Sequence, residues 1–269
     1  MIIDFRSQLR TKFAAPNLET VIVLDSCEKI QRMTGQDQGL PSFRQLFIES
    51  STFITELESH FIVTMPINAA RACFDSLLAR YSSNLVTVPS VKVTERDGKT
   101  AYPDGREVLQ ALVSSRTAEK DWRPYFSENA LDFLIHYSGG YVRGFMQAVI
   151  GACSHAKLAG NQLPIHIEPA RRAFNSFVQN ASAAITPEKW AILAELDDRP
   201  TRTIDLANPD VQDLLAENLI LEYVNGAQSK GLFDEDAPWY APHPVLRELN
   251  VFKSTQQKLR ESKNVMERH

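Results

Sequence analysis

Residues 21–30 read VIVLDSCEKI: four apolar, mostly β-branched residues run straight into a carboxylate, Asp25, and then into a polar turn. A buried strand with a carboxylate at its carboxyl end is how nucleotide-hydrolysing proteins hold Mg²⁺ against a triphosphate, since that ion prefers hard oxygen ligands. The residue after Asp25 is Ser26, and Glu28 is the nearest further carboxylate. Phosphates would also need a loop of the form G-x-x-x-x-G-K-[ST], whose backbone N–H groups and lysine cradle them. The one GKT triplet, Gly98-Lys99-Thr100, does not meet that form: Val93 stands at the first glycine position, and Ala101-Tyr102-Pro103-Asp104-Gly105 turns where a helix should start. It reads as a hairpin or loop tip. His136, His155, His166 and His243 show no paired spacing with acids or cysteines and read as structural residues, not metal ligands.

The elements that would position Asp25 follow from hydrophobic spacing. Ile2, Phe5, Leu9 and Phe13 form a helical stripe over 2–14, which Pro16 and Asn17 interrupt before the strand at 20–24. A helix is expected over 41–59, with Pro41 in its first turn and Phe43, Leu46, Phe47, Phe53 and Leu57 on one face. HFIVTMP (60–66) is a second buried strand stopped by Pro66, 67–81 a further helix, and NLVTVPSVKV (84–93) a third strand or strand-like segment. Short apolar strands alternating with helices indicate a parallel α/β sheet. The alternative, an all-helical protein with apolar linkers, fits less well, because Pro16, Pro66 and Pro89 bound the β-branched runs closely.

After residue 93 the pattern changes. ERDGKTAYPDG is rich in turn residues, and helical spacing then covers 104–117, 127–138, 140–160 and 166–181, punctuated by Gly139-Gly140 and Gly160-Asn161. This is a small helical bundle. A third region opens at ITPEKWAILAELDDRP, where Thr186 can cap, Pro187 takes the first turn and Glu188 follows. A helix at 208–217, a strand LILEYV, a polar loop and the segment WYAPHPVLREL then describe a winged-helix domain; a plain helical tail is the alternative, weakened by the paired strands. The domain reading is 1–103 as a partial α/β core, 104–183 as a helical domain, 184–250 as the winged helix and 251–269 as a charged tail.

Composition narrows the class. Lys and Arg number 29 against 33 Asp and Glu, a net charge of −4, which argues against a broadly nucleic-acid-coating surface. Cys27, Cys73 and Cys153 are widely spaced with no CxxC, as expected of reduced thiols in a cytoplasmic protein. No apolar run approaches the roughly 18 residues of a membrane span, and no signal-peptide pattern opens the chain.

The order of these segments resembles the second half of an AAA+ or STAND-type P-loop ATPase. VIVLDS looks like a Walker B strand, FIVTMP like a sensor-1 strand, and Ala79-Arg80-Tyr81 before NLVTVP is similar to the segment carrying an arginine finger. SGGYVRGFMQAV looks like the sensor-2 helix of the helical lid, and ITPEKW…VLREL like an appended winged helix. The resemblance implies ATP and Mg²⁺ as cofactors, with Asp25 on the metal. Thr64 would orient water or the γ-phosphate, Arg143 would reach the phosphates from the lid, and Arg80 would act in trans on a neighbour's nucleotide, hence in an oligomer. In that family an acid follows the Walker B aspartate to polarise water; Ser26 stands there in this chain, with Glu28 the nearest substitute.

Only some 20 residues precede VIVLD, too few for the Walker A strand and helix that the family places there. The expectation is therefore an ATPase-derived regulatory module that lacks its phosphate loop and does not hydrolyse ATP as an isolated chain. It would be a fragment, a degenerate regulator, or half of a split protein completed by an N-terminal ATPase portion. The alternative class is a non-enzymatic winged-helix protein that binds protein or DNA. NPDVQDLLAEN carries Asp210, Asp213 and Glu217 without a Lys or Arg, and the loop 225–237 sets Lys230 against Asp234, Glu235 and Asp236. That charge suits a protein partner better than a phosphate backbone. Arg171, Arg172, Arg199 and Arg202 form the only local basic cluster and read as solvating helix ends.

Overall fold

The structure is a computed structural model that describes residues 8, 10–13, 19–25, 27, 44–56, 59–65, 69–70, 73–81, 86, 88–160, 162–224 and 238–266. The chain divides into two compact units, 1–87 and 88–269, which combine helices with two small sheets.

In the first unit, strands β1 (Val21–Leu24) and β2 (His60–Val63) pair in parallel, in register from Val21 opposite His60 to Leu24 opposite Val63. Parallel strands need a crossover, and helical turns lie between them in sequence. The helix expected over 41–59 is divided: Gln45–Glu49 is a π-helical turn, Ser50 interrupts, and α1 (Ser51–Thr55) follows. The bond from Ser50 N to Gln45 O, 2.9 Å, spans five residues. This wide turn accommodates two consecutive core residues, Phe47 and Ile48, which an α-helix would point some 100° apart. Helix α2 (Phe74–Tyr81) closes the unit with Leu77, and Leu24 and Val63 pack on the same core. The two strands are not buried on both sides, as their apolar runs imply. Ile22, Leu24, Phe61 and Val63 are half-buried, while Val21, Val23 and Ile62 are 55%, 60% and 57% exposed on the other face. Of the amino-terminal stripe, Phe13 is exposed, and Ile2, Phe5 and Leu9 lie outside the described residues.

In the second unit, 88–93 is extended but joins no ladder among the described residues, so of the strand or strand-like segment expected over 84–93 it forms the strand-like one there. Its N–H groups are drawn elsewhere: Ser90 donates to Glu222 O at 2.9 Å and Val91 to Gly140 O at 3.0 Å. These residues, grouped by sequence with the α/β core, therefore pack with the second unit, where Val93 is buried. The GKT triplet is the tip of a hairpin closed by the Thr94–Ala101 bridge, as its turn-rich context implies. The Asp97 carboxylate accepts from Lys99 N, Thr100 N and the Thr100 hydroxyl, which lowers its pKa to about 2.

Helices α3 (Pro103–Ser114), α4 (Glu128–Ser138) and α5 (Val142–Leu158) follow near the expected places. The helix expected over 166–181 is two, α6 (Ile167–Arg172) and α7 (Asn175–Ala184), because the break at 173–174 turns Phe174 into the core beside Leu134, Phe145 and Ala152. Thr186 caps α8 (Pro187–Asp198) by accepting from Lys189 N. After α9 (Pro209–Ala216), strands β3 (Ile220–Tyr223) and β4 (Trp239–Pro242) pair antiparallel, and Tyr240 N donates to Arg202 O at 2.9 Å. The loop with Lys230, Asp234, Glu235 and Asp236 lies outside the described residues. The 251–269 segment is not simply a charged tail: α10 (Asn250–Met266) buries Phe252 against Trp190, ring centroids 6.5 Å apart, and Arg260 pairs with Asp198 at 2.7 Å.

Two glycines let 91–92 run close to the bundle. A Cβ on Gly140, whose φ is +75°, would sit 1.7 Å from Val91 O, and one on Gly105 would sit 1.8 Å from Lys92 O. No side chain fits there without moving backbone. Gly140→Ala should therefore cost about 3 kcal/mol or more, read as a lower urea midpoint at unchanged slope.

Candidate functional site

The register of β1 and β2 carries one step past the strands, with Thr64 N donating to Leu24 O at 3.0 Å. Asp25 and Thr64 consequently emerge side by side at the carboxyl ends of two adjacent parallel strands. The Thr64 hydroxyl donates to Asp25 Oδ1 at 3.2 Å, and both residues are exposed. Alternation puts them on the open face, with Val21, Val23 and Ile62. Carboxyl ends of parallel strands are where α/β proteins place ligands, because the loops diverge there and backbone groups are free to bind. Cys27, two residues on, is buried with its thiol 3.7 Å from Leu24 O.

The other residues singled out in the sequence are placed differently. Arg80, near the end of α2, donates to the Ser51 hydroxyl at 2.8 Å, while Tyr81 donates to Phe47 O at 2.6 Å. Arg80 is thus tied to its own unit, and a role in trans would first release Ser51. Arg143 is exposed in the first turn of α5, in the second unit. Glu28 and Ser26 lie outside the described residues. Among the described residues, no group of three His, Cys, Asp or Glu side chains gathers as a metal cage.

The arginine cluster is a correction. Arg202 does not solvate a helix end: it is 6% exposed, at φ +53°, and pairs with Asp197 at 2.6 Å. Arg247 reaches the same carboxylate oxygen at 2.8 Å. Arg199 pairs with Glu195 and Arg171 with Glu168, leaving Arg172 without a hydrogen-bond or ion-pair partner among the described residues. On α9, Asp213 and Asp210 face Lys189, at 2.8 and 3.8 Å. Sequence spacing missed the Asp197 pairing because its partners lie 5 and 50 residues away.

Comparison with protein-family models, with curated proteins and with solved structures found no match. Among the described residues, no helix is long and apolar enough to cross a membrane.

Two predictions follow from burial. Because Asp25 is exposed, Asp25→Ala should change unfolding free energy by no more than about 1 kcal/mol, so a loss of binding by a protein that stays folded reports the site itself. His243 behaves oppositely: burial, with the Arg247 charge adding, pulls its pKa down to about 3 from the ordinary 6.5. Above about 6.5 the imidazole is neutral folded or unfolded; below it the unfolded chain takes up a proton that the folded chain refuses. Stability should fall as pH drops from about 6.5 toward 3, and His243→Phe should flatten that fall in urea midpoints measured across the window.

Proposed function

We propose that the chain is an ATPase-derived regulatory module, a switch that senses a magnesium nucleotide at Asp25 and Thr64 and conveys its state to a protein partner. The observation that carries this reading is the side-by-side placement of a carboxylate and a hydroxyl at the carboxyl ends of paired parallel strands. The donor set suits Mg²⁺ in a particular way. One carboxylate and one hydroxyl are too few for a resident ion but fit one that arrives on phosphates and keeps water ligands. Asp25 would hold the ion directly or through water, and Thr64 would orient the carboxylate or a phosphate oxygen. The ion itself would supply charge neutralisation between phosphates. The finer resemblance to an AAA+ or STAND core, a sensor-2 lid with Arg143, a trans-acting Arg80 and a winged helix belongs to the same proposal. The GKT triplet is a hairpin tip in the second unit and Arg80 is engaged by Ser51, so this chain by itself is expected to bind without turnover.

The apolar outer face of the strand pair supports a protein partner, since parallel sheets are ordinarily covered on both faces. A second reading is a non-enzymatic binding protein acting through the region of α8, α9, β3 and β4. The two acids of α9 that face Lys189 favour a protein over DNA as its target.

Calorimetric titration of the full chain with MgATP tests the first reading. Binding that disappears in Asp25→Ala and weakens in Thr64→Val, with no ATP turnover above background, is the expected result. Absence of binding, or binding indifferent to both substitutions, would sink it and leave the non-enzymatic reading.

A further inference from the structure

A cavity of about 530 Å³ opens in the second unit between α5 and the segment α6–α7, within the roughly 300–1,000 Å³ typical of small-molecule sites. Tyr141, Phe174 and Phe177 contribute aromatic wall, and Gly144 and Gly151 keep the α5 side low. Two glycines inside one helix weaken it, and here they bring neighbours close. A Cβ on Gly151 would lie 3.2 Å from the Ala173 Cβ, and one on Gly144 would strike the Tyr141 ring at 2.7 Å.

The polar lining has one sign. Arg172 and His155 face the cavity with Gln and Asn side chains, and no carboxylate lines it among the described residues. Adjacent Arg171 is engaged by Glu168 at 2.9 Å, whereas Arg172 has no such partner among the described residues. His243 adds a second, independent sign of a ligand. It lines the cavity, is only 2% exposed, leans on Phe177 with centroids 4.4 Å apart, and has an Nδ1 with no hydrogen-bond partner among the described residues. Buried polar atoms are rarely left in that state.

We propose that this cavity binds a small planar aromatic oxyanion, a single ring bearing a carboxylate or a phosphate ester. The ring would lie against Phe174, Phe177 and Tyr141, and Arg172 would take the anion as a charge-assisted, bidentate pair. His243 contributes a neutral hydrogen-bonding group. The site uses none of the residues of the nucleotide reading and stands without it.

Protein-observed NMR titration of the full chain with benzoate, phenyl phosphate and neutral benzamide tests the proposal. At low-millimolar concentration at least one of the two anions should shift resonances of α5 and α7, and the tighter of the two identifies the anionic group. Benzamide should bind roughly tenfold more weakly, and Arg172→Gln should weaken the anion roughly tenfold or more. Arg171→Gln and Asp25→Ala, both on exposed residues, should leave binding unchanged. Failure of both anions to bind, equal binding of benzamide, or equal losses in Arg171→Gln or Asp25→Ala would each overturn it.

Discussion

The second unit depends on one carboxylate. Asp197, at the end of α8, accepts from Arg202 in the following loop, from Arg247 in the turn after β4, and from Gln256 of α10. Four separate segments are fixed by a group that is largely out of water, so each charge there is affordable only while the others are present. The same cluster reaches the hairpin tip, where a Cβ on Gly98 would lie 2.7 Å from the Arg247 guanidinium. Arg202 adopts a left-handed backbone conformation, and its carbonyl accepts from Tyr240 in β4. Ion pairing and strand placement are therefore coupled through one residue.

Where local chemistry decides the structure, the sequence is readable. Thr186 followed by Pro187 starts α8, Gly139 and Gly140 separate α4 from α5, and the turn residues around Gly98 exclude a phosphate loop in favour of a hairpin tip. Asp25 and Thr64 could be marked because an apolar run ending in a polar residue has the same meaning in one strand as in two. Where distant partners decide, the sequence is silent. Residues 90–91 have the composition of a strand, yet their N–H groups are taken by Gly140 and Glu222, which no local pattern could reveal. The charged carboxyl-terminal segment reads as solvated until Phe252 finds Trp190. Arg202 and Arg172 look alike in sequence, and only the fold shows that one is buried on Asp197 while the other is exposed with no side-chain partner among the described residues.

The candidate sites differ in how firmly their surroundings hold them. Asp25 and Thr64 rest on two four-residue strands whose order is maintained from one side by Phe47, Ile48 and Leu77. The cavity beside α5 is framed by that 17-residue helix, by the shorter α6 and α7, and by a core that continues through Leu134, Phe145 and Phe174. A site of the first kind can change geometry at low cost, which suits sensing; one of the second kind is preorganised, which suits selective capture.

The open face of β1 and β2 also governs how the protein behaves in concentrated solution. Val21, Val23 and Ile62 present a short apolar strip on strands with few residues to mask it. Attraction between such strips grows with concentration and with salt, which screens the net negative charge that would keep chains apart. These three side chains thus add a local term to the colloidal interaction of the chain with itself that its net charge does not express, and whatever covers that strip also acts as a solubiliser.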